Sequence, residues 1–290
     1  MRTLSGLREI APRYDAFLVD LWGVVHDGKR PFSGVIDALH ALSSAGKRVV
    51  FLTNTSRTGA LAGDMLGDMG IGRELFETVI SSGDVTREVL RSRDPALFAE
   101  LPRDPRCAHL GDPSFVPWLF ELGLSFGDDL DLTNADLVVA TGTLGDDDAS
   151  MTRARERLAP AAARDVPLVC TNPDRVIPRA TGFTRGPGAI AAAYEELGGR
   201  AFLYGKPHAP IYAAARRHLG DVGPDRIVAI GDLLDTDVRG ARGAGIASVL
   251  VTGTGAHAQT LGPLPTAEAL AALFAAAGVA PDMTLTRFAW

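Results

Sequence analysis

The chain is poor in several things, and each scarcity argues against a class of protein. Among its 290 residues there are two cysteines, Cys107 and Cys170. Neither stands in a Cys-x-x-Cys pair or at a Cys/His ligand spacing, which argues against a disulfide framework and a zinc site. Both lie in or beside apolar runs and read as buried thiols that behave as small hydrophobes. Positive charge is also scarce, with 29 basic against 35 acidic residues and a formal net charge of -6. No basic stripe is left to steer the chain onto nucleic acid or an anionic membrane, so a small anionic ligand needs positive charge supplied locally. Long apolar runs are missing as well. No stretch approaches the roughly 20 apolar residues of a membrane span, and the first ten residues mix charge into every turn instead of forming a signal-peptide core. The expectation is a cytoplasmic protein.

What the chain does have is length and apolar content. At 46% hydrophobic, it can bury a sizeable core in about two domains. Short β-branched runs at Ala16–Leu21, Lys47–Thr53 and Thr78–Ser82 read as strands. Between the first two, Gly34–Gly46 repeats its apolar positions at helical spacing and ends on a C-cap-type glycine, which makes a βαβ unit. A second set follows at Ala201–Tyr204, Arg226–Ile230 and Ala247–Val251, interleaved with helical patterns near 209–219 and 237–244. These strands are continuously apolar, as in a parallel sheet covered on both faces. The fold class is therefore α/β: a Rossmann-like, doubly wound parallel-sheet core with an inserted α/β domain. The core takes 1–83 and 182–290. The insert takes 84–181, with strands at Cys107–Leu110, Asp136–Ala140 and Pro167–Cys170 and a helix over Thr152–Leu158. Breaker-rich stretches at Arg91–Pro95, Leu101–Pro105 and Arg179–Gly182 read as linkers, and Ala267–Ala277 as a helix.

Charged residues follow several of these strands directly. Asp20 exits the first, with Gly23 allowing a sharp turn, and is placed as a nucleophile would be; a turn-starting aspartate is the plainer alternative. Thr53 and Asn54 end the second, where a hydroxyl and backbone N–H groups can hold phosphate oxygens. Lys206, between Gly205 and Pro207, can neutralise phosphate and carboxylate together. Asp232, Asp235 and Asp237 crowd three carboxylates into six residues. Such hard-oxygen clusters suit magnesium, although Asp235 or Thr236 can equally serve as a helix N-cap. In an open parallel sheet the carboxyl ends of the strands meet in one crevice, so these distant residues converge. The chain reads as an enzyme.

The motifs Gly188-Ala-Ile, Gly205-Lys-Pro-His-Ala-Pro-Ile-Tyr and Gly231-Asp-Leu-Leu-Asp-Thr-Asp-Val-Arg-Gly-Ala, with Thr171-Asn-Pro-Asp and an insert between Thr53 and Lys206, resemble the haloacid dehalogenase superfamily. The likeness is to its class IIA branch of sugar-phosphate, nucleotide and aryl-phosphate phosphatases, and it spans nearly the whole chain. The resemblance implies a Mg2+-dependent hydrolase of small phosphate monoesters, sugar phosphates or related compounds, through an aspartyl-phosphate at Asp20. It also implies phosphate held by Thr53, Asn54, Gly23 and Lys206. Mg2+ would sit on Asp20, Asp232, Asp237 and the main-chain carbonyl of Trp22. The insert would be a specificity cap, with Asn172 and Asp174 as candidate substrate contacts or plain turn residues. The partner is then a small phosphorylated metabolite, and a homodimer is one arrangement the resemblance allows.

One position departs from the pattern. Two residues after the nucleophile, ester-cleaving members carry an aspartate as general acid and base; here it is Trp22. General acid–base catalysis is worth about 10²- to 10⁴-fold. Three readings stay open: His26 or Asp27 supplies the proton; the substrates have good leaving groups, such as acyl or aryl phosphates, or the reaction is another of the superfamily's, such as phosphonate cleavage or dehalogenation, the latter disfavoured by Asp232 and Asp237; or the protein binds phosphate ligands or a protein partner and turns over slowly in a regulatory role.

Overall fold

Short runs of β-branched and apolar residues become parallel strands wherever both faces can be covered. The computed structural model describes residues 2–111, 113–126, 132–179, 182–262 and 265–290. In chain order its strands are β1 Arg2–Leu4, β2 Ala16–Asp20, β3 Arg48–Thr53, β4 Thr78–Ser81, β5 Arg106–Leu110, β6 Ser125–Phe126, β7 Leu137–Ala140, β8 Leu168–Cys170, β9 Val176–Arg179, β10 Gly182–Arg185, β11 Ala201–Leu203, β12 Ile227–Gly231, β13 Ala247–Val251 and β14 Met283–Leu285. They divide between two units. The first comprises Met1–Thr53, Thr58–Ser81 and Lys206–Trp290; the second comprises Asn54–Arg57 and Ser82–Gly205.

The first unit is a seven-stranded parallel sheet in the order β1-β14-β13-β12-β2-β3-β4. From β2 the chain moves outward through β3 and β4. It then returns to β12 on the other side of β2 and moves outward again through β13 to β14. The reversal falls between β2 and β12, and at such a switch point the strand ends open into a crevice. Phe17, Val19, Phe51 and Ile230 pack on one face with Val35, Leu39 and Leu42 of the helix Val35–Ser44. On the other face Leu250 packs with Leu234, Leu270 and Phe274. That helix ends as its glycine predicts: Gly46 takes φ 67°, and the Lys47 N–H donates to the Leu42 carbonyl at 2.9 Å.

The second unit holds a five-stranded parallel sheet, β11-β8-β7-β5-β6, and an antiparallel hairpin of β9 and β10. Leu110, Val138, Leu158, Leu168, Ile190 and Tyr194 form its core. Both cysteines lie buried here as free thiols, and burial pushes each pKa up to about 12.

Three features differ from the sequence expectation. Ala201–Leu203 pairs with β8 rather than joining the first sheet, so residues 182–205 group with the second unit and the division falls at Gly205. An apolar three-residue strand carries no mark of which sheet it joins. Arg179 and Gly182, expected in a linker, are instead paired residues of β9 and β10, and residues 180 and 181 lie outside the described residues. Finally, β1 and β14 pair along one edge of the first sheet, although neither run is apolar enough to announce itself.

Phe51 is fully buried, with its ring 5.0 Å from that of Phe76. Phe51→Ala is expected to destabilise the first unit by about 3–5 kcal/mol, read by urea unfolding. A loss below about 1 kcal/mol would contradict this packing.

Candidate active site

The switch point gathers charge from three distant segments of the first unit. β2 ends at Asp20, β12 delivers Asp232 one residue past its end, and a π-helical turn over Leu234–Val238 brings Asp237 back toward Gly231. Gly231 is required there, because a Cβ would fall 2.1 Å from Asp237 Cγ. Lys206 enters just before the helix Ala209–Leu219. Its Nζ donates to Asp20 Oδ1 at 2.6 Å and to Asp237 Oδ1 at 2.7 Å.

Lys206, Asp232 and Asp237 are only 4%, 1% and 5% exposed, so this is a buried charge cluster rather than a surface salt bridge. One oxygen from each of Asp20, Asp232 and Asp237 lies within 4.8 Å of the others. Asp237 is held from its far side, where Oδ2 accepts the Leu233 N–H at 3.1 Å. Asp232 Oδ2 accepts the Ala256 N–H at 2.7 Å. Two glycines close around the same oxygen: a Cβ on Gly23 would lie 2.3 Å from it and one on Gly255 2.1 Å, and both have positive φ, 84° and 72°. The carboxylate is thus cradled by backbone.

Three carboxylates face one ammonium, and the imbalance shows in the proton affinities of Asp20 and Asp232. Burial pushes Asp20 up to about 7, with the Asp237 charge adding to the rise and Lys206 opposing it. Asp232 is raised by burial, then by the charges of Asp20 and Asp237. Burial alone would lower the Lys206 ammonium, but Asp20 and Asp237 outweigh it and hold the pKa above its usual range. A hard cation among these oxygens would remove the imbalance. Three carboxylates in a backbone cradle fit a small divalent ion, which favours oxygen donors.

Residues 17–125 match the family model of haloacid dehalogenase-like hydrolases, and 203–282 match a second, HAD-like hydrolase model. Chronophin of Bos taurus is 30% identical over 257 residues, spanning 85% of this chain and 83% of its own. The chain belongs to the haloacid dehalogenase-like hydrolases. Glycerol-3-phosphate phosphatase of Mus musculus is 29% identical over 246 residues, 77% of this chain and 74% of the relative. A solved haloacid dehalogenase-like hydrolase from Brucella suis 1330 superposes with a TM-score of 0.80 at 30% identity, covering 98% of this chain and 99% of the other. Within the haloacid dehalogenase-like hydrolases the chain is a phosphatase-type enzyme.

In this hydrolase the remaining predicted residues are placed as follows. Thr53 ends β3, next to β2, and Trp22 and Gly23 lie two and three residues past Asp20. His26 Nδ1 accepts the Gly28 N–H at 3.0 Å, and burial keeps its pKa below the usual value. Asp27 Oδ1 accepts the N–H groups of Lys29 and Arg30, each at 2.9 Å, and these bonds hold its carboxyl below the usual range. Asp235 turns outward and pairs with Arg239 at 2.9 Å, making no capping bond. Asn54, Asn172 and Asp174 lie in the second unit. There Asn54 Nδ2 donates to Asp174 Oδ1 at 2.8 Å, and Asn172 Oδ1 accepts the Asp174 N–H at 2.8 Å. The structure thus brings together Asp20, Lys206, Asp232 and Asp237. Sequence reasoning missed the loop after β13 that cradles Asp232. Its signal was the repeated Thr252-Gly253-Thr254-Gly255, a glycine-rich turn at the end of a buried strand.

Lys206→Met leaves the carboxylates without their ammonium. The variant is expected to melt well below wild type at pH 8 in the presence of a chelator, since breaking a buried pair costs about 3–5 kcal/mol. Asp20 binds its proton more tightly folded than unfolded, so the metal-free cluster loses stability as pH rises from about 4 toward about 7. Removing Lys206 raises that carboxyl further, so the gap between variant and wild type should narrow at pH 5. A gap independent of pH would contradict the charge account.

Proposed function

We propose that the chain is a Mg2+-dependent hydrolase of small phosphate monoesters that works through an aspartyl-phosphate at Asp20. The observation that carries this reading is the Lys206 bridge: one buried ammonium holds Asp20 at the switch point and shares Asp237 with it. Asp20, Asp232, Asp237 and the main-chain carbonyl of Trp22 would hold Mg2+, with Asp237 direct or through water. When bound, the ion supplies positive charge against the carboxylates and the phosphoryl oxygens.

The protein's own residues do the rest. Lys206 keeps one Asp20 oxygen fixed by its hydrogen bond, leaving the other to attack phosphorus, and its charge opposes the protonation that burial favours. Thr53, Asn54 and Gly23 would hold phosphate oxygens through a hydroxyl and backbone N–H groups. The second unit would act as the cap that selects the substrate, with Asn172 and Asp174 as contacts. Substrates named in the relatives, such as glycerol 3-phosphate, indicate the size of ligand to try first. No helix among the described residues is long and apolar enough to cross a membrane, and the same reading has the enzyme act in the cytoplasm on a soluble metabolite. A slow phosphate-binding role is the second reading, favoured by the lack of a carboxylate at Trp22.

The test is phosphate release from a panel of alkyl, aryl and acyl phosphates, with Mg2+ or with a chelator, for wild type and Asp20→Asn. Release should require the metal and fall at least about a thousandfold in the variant, as loss of a nucleophile does. Undiminished release by Asp20→Asn would take Asp20 out of the mechanism, and tight phosphate binding without release would favour the second reading.

A further inference from the structure

Asp232 stands one residue past β12, yet the N–H group that binds its carboxylate comes from beyond another strand. β13 ends at Val251, and the turn that follows, Thr252-Gly253-Thr254-Gly255-Ala256-His257, reaches Asp232 from there. The turn is bonded at two places. Near its start the Thr252 and Gly253 N–H groups donate to the carbonyls of Leu285 and Thr286, at 2.9 and 2.7 Å, where β14 ends. Further on, the Ala256 N–H donates to Asp232 Oδ2 at 2.7 Å.

Both places are packed too closely for a side chain on the turn. A Cβ on Gly253 would fall 2.6 Å from Thr286 Cγ2 and equally close to the Thr286 carbonyl oxygen. On Gly255, whose φ of 72° already disfavours other residues, a Cβ would fall 2.1 Å from Asp232 Oδ2. Gly23 meets the same oxygen from the loop after β2: a Cβ there would lie 2.3 Å from it and 2.9 Å from the Gly255 Cα. Two polar side-chain atoms of the turn add no support, because Thr254 Oγ1 and His257 Nε2 are buried with no hydrogen-bond partner among the described residues. The turn is therefore held by its backbone bonds, to β14 on one side and to Asp232 on the other.

We infer that Gly253, Gly255 and Ala256 are positioning residues for the divalent ion: they aim the Asp232 carboxylate from an anchor at the end of β14. Ion affinity then depends on residues that touch no ion. The inference rests on the proposed reading in which Asp232 holds Mg2+. A hydrogen bond from outside fixes the orientation of a ligating carboxylate, and losing such a bond typically costs about 10- to 100-fold in metal affinity. Here the donor is a main-chain N–H, so the aim is set by the course of the backbone between β14 and Asp232.

The test is calorimetric titration of Mg2+ into the full-length protein after treatment with a chelator. Gly255→Ala drives a Cβ against Asp232, and Ala256→Pro removes the N–H donor. Each is expected to weaken Mg2+ binding about 10- to 100-fold. Gly253→Ala, which acts through Thr286, should weaken it in the same direction. Gly278→Ala is the control: its φ is 63° and its Cβ would meet nothing within 4 Å, so it strains the backbone without crowding the turn. Its Mg2+ affinity should equal that of wild type. The rise in melting temperature on adding Mg2+ should shrink in the first three variants and persist in the control. If Gly255→Ala does not fold, Ala256→Pro and Gly253→Ala decide. Wild-type Mg2+ affinity in these folded variants, with binding lost in Asp232→Asn, would overturn the inference and leave Asp232 as a ligand. An equal loss of affinity in Gly278→Ala would trace the effect to general strain and overturn it too. Undiminished binding by Asp232→Asn, or no Mg2+ binding by wild type, would overturn the ligand reading itself and the inference with it.

Discussion

A single buried ammonium organises the site. Lys206 reaches Asp20 on β2 and Asp237 beyond β12, so one side chain ties the two halves of a doubly wound sheet together where the strand order reverses. Its charge makes the burial of two carboxylates tolerable, and its deficit against three makes the site ready for a cation. Burying an ion pair gains little stability in general, because desolvation offsets attraction. Under the proposed mechanism the arrangement serves to hold the Asp20 carboxylate ionised and aimed rather than to add stability.

The backbone shares this task. Gly23, Gly231 and Gly255 leave the space in which Asp232 and Asp237 sit, and the Ala256 N–H fixes one of the two oxygens of Asp232. Three strand-end loops, after β2, β12 and β13, therefore converge on one carboxylate cluster. Strand order, glycine placement and charge all act at the same end of the sheet.

Much of the core was legible in the sequence because its strands are buried on both faces. Ala16–Asp20, Arg48–Thr53 and Ala247–Val251 are runs that only a covered parallel sheet keeps so apolar, and the helix Ala267–Ala277 announces itself by composition. The pair β1 and β14 was not legible, since each is a three-residue run too short to show a strand pattern. Ala201–Leu203 was legible as a strand but not as a member of the second sheet, because membership depends on pairing and not on its own residues. Within the site, Asp20, Lys206, Asp232 and Asp237 stood out as charges directly after apolar runs. Two contacts were not in that reading: Asp235 turns away to Arg239, and the glycine-rich turn after β13, visible as a turn but not as a partner, wraps Asp232. Both depend on side-chain direction across a π-helical turn and on a loop contact between residues far apart in the chain.

The claim that most of this account depends on is that Asp20 itself takes up the phosphoryl group. Its direct test is to mix the protein with an acyl or aryl phosphate and Mg2+, quench in acid within the first turnover, and locate the added phosphoryl group by peptide mass spectrometry. The account predicts a labile phosphoryl group on Asp20 and on no other residue. A phosphoryl group on a different side chain, or substrate cleavage with none detectable at any time in the first turnover, would contradict it.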